Sequence, residues 1–77
     1  MVDVNERICA YIVKEWLNPW LKEGKSQTMF ANAHNVDEGT IRKIKSHKKY
    51  RIPVETLNKI CESRKILLSE FFTKLEI

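Results

Sequence analysis

The stretch SQTMFANAHNVDEGTIRKIKS, residues 26 to 46, decides how this chain folds. It opens on Ser26, whose hydroxyl can accept from the free amides of a helix start, and Gln27 begins the helix that follows. Met29, Phe30 and Ala33 or His34 recur at helical spacing and predict the apolar face of that helix, which is expected to run to about His34. Asn35 comes next, the non-glycine residue best suited to a left-handed helix exit, and Val36 is the apolar residue of the turn. Asp37 then caps a further helix running to about Ser46, with Ile41 and Ile44 inward. Its outward positions, Glu38, Gly39, Thr40, Arg42, Lys43 and Lys45, are polar or bare. Two short capped helices joined by about three residues, the second with a polar and basic outer face, make a helix-turn-helix.

Working outward, Asp3 or Asn5 is placed to cap a first helix, with Val4, Ile8, Tyr11, Ile12 and Trp16 at helical spacing and Cys9, Val13 and Leu17 widening the stripe. Proline disfavours the α conformation in the residue before it, so Pro19 predicts an end or kink near Leu17 or Asn18. Asn18 is a candidate cap for a new short turn, with Pro19 at its first position and Gly24 closing it. On the other side, Pro53 starts a helix whose inner face is Leu57, Ile60 and Cys61 and whose end falls at Arg64–Lys65. Ile66, Leu68, Phe71, Phe72 and Leu75 define a last helix, with Ser69 and Glu70 near its start. No alternating strand pattern bracketed by turn signals occurs, so the expected fold is all-α, a compact five-helix bundle with an extended N-terminal helix. The expected organisation is one domain over 1–77, with an N-terminal extension 1–25, a helix-turn-helix 26–46 and C-terminal helices 53–77.

Bulk properties limit the function. A chain of 77 residues leaves no room for a separate catalytic domain. With 43% hydrophobic and 31% charged residues the balance is that of a globular protein. No apolar run approaches the roughly 18 residues of a membrane span, and the MVDVNE start is acidic where a signal peptide is basic. A cytoplasmic protein without a membrane partner is expected. Cys9 and Cys61 fit no metal spacing; free buried thiols are the expectation over a disulfide.

The net charge of +4 is unevenly spread. Residues 25 to 51 hold seven basic and two acidic side chains, and between Arg42 and Arg51 there are six basic residues and no acid. Such a run can be a solvated face; following a helix-turn-helix it reads as a phosphate footprint. Arg42 and Lys43 suit guanine, whereas Glu38 would accept from cytosine and repel phosphate. Gly39 reads either as room for close approach of the backbone to DNA or as a tolerated defect of about 1 kcal/mol against alanine. His34 and His47 are too isolated for a metal site. Trp16 and Trp20 suit the core better than base stacking or a dimer surface. Phe71, Phe72, Leu75 and Ile77 are more apolar than a tail needs, which favours a homodimer contact. No catalytic constellation, glycine-rich phosphate loop or carboxylate pair stands out, so no enzyme activity, cofactor, metal or small-molecule ligand is expected.

The segment from Ser26 to Phe72 resembles the phage Cro and lambda-repressor helix-turn-helix domains, the XRE family. The resemblance rests on Gln27, the Phe30–Ala31 pair, Val36, Ile41 and Ile44, then Leu57, Ile60, Cys61 and the Leu68 to Phe72 segment. It implies a lambda-repressor-like bundle and a transcriptional regulator that reads duplex DNA in the major groove with helix 37–46, as a homodimer on an inverted repeat. It further implies that Gln27 binds a phosphate, and that Glu38, Gly39 and Lys43 meet base edges with Thr40 and Arg42 beside them. Ser46, Lys48, Lys49 and Arg51 fall in the segment that grips the backbone. The chain departs from the pattern at Asn35 and His47, where glycine is usual, at His34 and Arg64, where leucine is usual, and at Lys45, where glutamate is common. The alternative expectation is a protein-interaction module on the same fold, antitoxin-like or a regulator's partner domain.

Overall fold

Asp3 fixes where the first helix begins, because its carboxylate accepts the Asn5 amide at 2.7 Å. In this computed structural model, which describes residues 3–46 and 50–76, that helix is α1, Val4–Ile12. Pro19 has no N–H to return to the preceding turn and its ring crowds the carbonyl four residues back. The chain answers by widening: Val13–Leu17 is a π-helical turn in which the Asn18 amide reaches the Val13 carbonyl, and α2, Asn18–Lys22, follows without a break. The helix therefore does not end near Leu17 or Asn18; the irregularity expected there takes the form of a π-turn. Leu17 and Asn18 keep right-handed helical backbone (φ −75° and −59°), and no side chain caps the start of α2. One helical rod thus runs from residue 4 to residue 22, which makes the N-terminal helix an extended one.

The remaining helices are α3, Gln27–Ala33, α4, Glu38–Ser46, α5, Val54–Ser63, and α6, Leu68–Leu75. Counted with the N-terminal rod they are five helical rods, and there is no strand among the described residues. Pro53 stands just before α5 with extended backbone (φ −64°, ψ 144°), as a helix-starting proline should. At α6 the residue before the helix is Leu67, which has no capping atom. Glu70 compensates by accepting the Leu67 amide at 2.9 Å.

The helices close over one core. Ile8, Cys9 and Ile12 of α1 and Leu17 meet Phe30 and Ala31 of α3, Ile41 and Ile44 of α4, Leu57, Ile60 and Cys61 of α5, and Phe71 and Leu75 of α6. Ile52 joins them, held by its amide donating to the Asn5 side chain at 3.0 Å. Helix α4 lies against both α3 and α1, and α6 against α1 and α5. Some expected inward positions face out: Met29 is 51% exposed, Val4 46%, and Ala33 is exposed as well. Helix α3 is only two turns long, and Phe30, Ala31 and His34 suffice to cover its inner side.

Trp16 and Trp20 both pack against the core, half-buried. Phe71 and Leu75 are buried in the chain's own interior and Phe72 is half-buried, so their apolarity is used internally rather than presented to a second copy. Ile77 lies outside the described residues. Both cysteines are free and buried, and burial pushes each thiol up to about 11, so they are packing groups of low reactivity. Among the described residues no helix is long and apolar enough to cross a membrane.

Candidate nucleic-acid interface

The α3–α4 pair is locked at three points. Ser26 Oγ accepts the Met29 amide at 3.1 Å and so closes the start of α3. At the other end Asn35 turns left-handed (φ 59°), which lets its amide reach the Asn32 carbonyl at 3.2 Å and the Val36 amide reach the Ala31 carbonyl at 3.0 Å. Those two bonds are a Schellman motif, and Val36 is the apolar residue that packs beneath it. Asp37 then hands the chain to α4, its carbonyl accepting the Ile41 amide at 3.2 Å.

Helix α4 buries only Ile41 and Ile44. Gly39, Arg42, Lys43, Lys45 and Ser46 are exposed, while Glu38 and Thr40 are half-exposed. All five residues expected to read bases therefore lie on one helix. They are not equally available. Glu38 and Arg42 stand one turn apart and form an ion pair, Arg42 Nη2 donating to Glu38 Oε1 at 3.3 Å. At that exposure the pair adds little stability, but it neutralises the acid on an otherwise basic face. Lys43 reaches out toward Tyr50, its ammonium 6.0 Å from the ring centre. Gly39 lies in regular helix, and a Cβ built there would meet nothing within 4 Å, so packing gives no reason for a glycine.

The expected phosphate contacts are more scattered. Gln27 is the first residue of α3 and is half-exposed. Ser46 turns its hydroxyl back to the Lys43 carbonyl at 3.2 Å. Arg51 is exposed but lies with Asp3, Glu6 and Tyr50 around a depression of about 330 Å³, and its charge helps to lower the Asp3 carboxyl, whose main cause of lowering is the Asn5 amide. An arginine among acids grips phosphate less well than its place in the basic run suggests. Lys48 and Lys49 lie outside the described residues, as does His47.

A second cluster went unread in the sequence as a unit. The His34 ring stacks on Phe30, centroids 3.9 Å apart and nearly parallel, and its Nδ1–H donates to the Phe30 carbonyl at 2.7 Å. The Trp20 ring stands edge-on to both, at 5.5 Å from Phe30 and 6.0 Å from His34, and its indole N–H donates to the Ser26 carbonyl at 2.9 Å. Arg64 lays its guanidinium over Phe30 and Trp16, at 5.7 and 5.1 Å. Burial holds His34 below its ordinary pKa, the Phe30 carbonyl works the other way, and the Arg64 charge adds to the lowering. The signal was present: His34 and Arg64 are the two places where the resemblance expects leucine, and they share one ring.

Among the described residues no group of His, Cys, Asp and Glu is gathered closely enough to hold a metal ion. Comparison of the chain with family models, with curated proteins and with solved structures finds no match.

Proposed function

We propose that this chain is a helix-turn-helix protein of the lambda-repressor-like kind that binds duplex DNA by setting α4 into the major groove. The observation that carries the reading is the contrast between the two sides of α4. Ile41 and Ile44 anchor it, while its outer side offers Gly39, Arg42, Lys43 and Lys45, with the one acid, Glu38, paired to Arg42. A short helix held rigidly by a capped partner and a Schellman turn is the part such a protein lays in the major groove. Gly39, which the fold does not need, leaves bare backbone where a phosphate or base edge can come close. Phosphate contacts supply most of the affinity and Lys43 the largest share of base choice.

Fluorescence anisotropy with random and selected duplexes at two salt concentrations tests this. Binding should weaken steeply with salt, by a log–log slope of about −0.9 per phosphate contacted. Lys43→Ala should weaken binding to the selected duplex far more than to the random one, and equal losses would remove its base-reading role. The second reading, a protein-interaction module, draws on the Glu38–Arg42 pair, which occupies the reading face with a neutral patch. Absence of duplex binding at low salt would favour it. Sedimentation of the complex then decides between one copy per site and the homodimer.

A further inference from the structure

A depression of about 410 Å³ opens where the end of α5 meets the N-terminal rod, far in sequence from α4. Its walls are of two kinds. Tyr11, Trp16 and Ile66 supply apolar and aromatic surface; Arg64, Lys65 and Lys74 supply three cations. The single acid on its rim, Glu70, already accepts the Leu67 amide at the start of α6.

Arg64 is the unusual member. Its Nε–H is buried without a hydrogen-bond partner, alone in this among the described residues, and its Nη2 makes only a long bond of 3.5 Å to the Trp16 carbonyl. No carboxylate of the described residues lies within ion-pair distance of it. The guanidinium is half-buried on aromatic faces and has no carboxylate partner among the described residues, so its charge is left for an anion that enters the depression. Next to it Lys65, the left-handed residue of the α5 exit (φ 58°), is exposed and adds its ammonium to the same rim.

We propose that this depression binds a small aromatic carboxylate, the carboxylate taken by Arg64 with Lys65 and Lys74 beside it, and the ring lying along Trp16 and Tyr11. The planar fork of a guanidinium matches the two oxygens of a carboxylate. A bare phosphate would answer the charge but leave the aromatic walls wet. The volume falls in the ordinary range of small-ligand sites. None of the lining belongs to α4, so the site stands whether or not α4 binds DNA.

The test is titration of the full chain with benzoate, followed by proton–nitrogen NMR at constant ionic strength. The Trp16 indole and the Arg64 Nε–H signals should move along a saturating curve with a Kd on the order of 1 mM or tighter, while the Trp20 indole stays still. Lys74→Ala, on the exposed side of α6, should weaken binding about threefold or more, and Arg64→Leu should abolish it. Should Arg64→Leu fail to fold, Lys74→Ala decides alone. Shifts that rise linearly, that chloride reproduces, that Trp20 shares, or that Lys74→Ala leaves at the same Kd overturn the site. Inorganic phosphate binding as tightly as benzoate overturns the ligand class.

Discussion

The exits of α3 and α5 are the same piece of backbone carrying different side chains. In each, a C-cap residue (His34, Arg64) is followed by a left-handed one (Asn35, φ 59°; Lys65, φ 58°) and then by an apolar one (Val36, Ile66). The amides of Val36 and Ile66 both reach back, to Ala31 and Cys61, at 3.0 Å. A third exit, that of α2, puts Gly24 (φ 86°) in the left-handed place. What repeats at the α3 and α5 exits is what physics demands: terminal carbonyls satisfied and an apolar side chain tucked under the turn. What varies is the left-handed residue, which runs from glycine through asparagine to lysine in rising order of strain. The C-cap side chains vary too, yet His34 and Arg64 both lean on the ring of Phe30.

If that ring joins the two exits, removing it should loosen both. Phe30 is fully buried, and Phe30→Ala should cost about 3–5 kcal/mol. At roughly 4–8 °C per kcal/mol for a domain of this size, thermal unfolding followed by circular dichroism should show a large fall in Tm. A loss below about 1 kcal/mol would mean that the exits hold independently and that the shared ring is incidental.

The exits themselves should respond unequally to glycine. Lys65→Gly relieves a left-handed lysine and should raise stability by about 0.5–1 kcal/mol, read as a higher urea midpoint at unchanged slope. Asn35→Gly should change it by only a few tenths, since asparagine already tolerates that conformation. The order is the point of the experiment. Equal gains would break the ranking drawn from the three exits, and a loss at Lys65 would show that its side chain holds contacts worth more than the strain.

That ranking also explains which parts of the molecule were legible in the sequence. Ser26, Asn35 and Val36 carry local signals, each favouring its observed conformation without help from distant residues, and the motif from 26 to 46 could be read from them. Ile41, Ile44, Leu57, Ile60 and Cys61 followed from helical spacing in the same way. Lys65 carries no such signal, because its conformation is imposed by the Ile66 amide finding the Cys61 carbonyl. Pro19 was legible only in part, for the converse reason. Its local preference is to end a helix, but packing of Leu17 beneath and Trp20 beyond holds the rod together through a π-turn. The Glu38–Arg42 pair was visible as a spacing of four and went unremarked; the meeting of His34 with Arg64 joins residues thirty apart and needs the fold.

The smallest expected effect separates the two C-cap residues by pH. Arg64 stays charged across the accessible range, whereas His34 changes charge inside it. Burial first, and the Arg64 charge after it, hold the folded His34 below the ordinary value of 6.5 despite the opposing hydrogen bond to the Phe30 carbonyl. The unfolded chain therefore takes up this proton before the folded one does. Stability from the neutral ring is present above 6.5 and is lost as pH falls below it towards the lowered folded value, so the free energy of unfolding should decline as pH drops below 6.5. His34→Leu should flatten that decline, and Arg64→Leu should only make it shallower by removing the positive charge that opposes protonation. A decline that persists unchanged in His34→Leu would assign the titration to another group. It would also mean that the stacked imidazole on Phe30 is indifferent to charge, leaving Arg64 as the one exit whose electrostatics the fold feels.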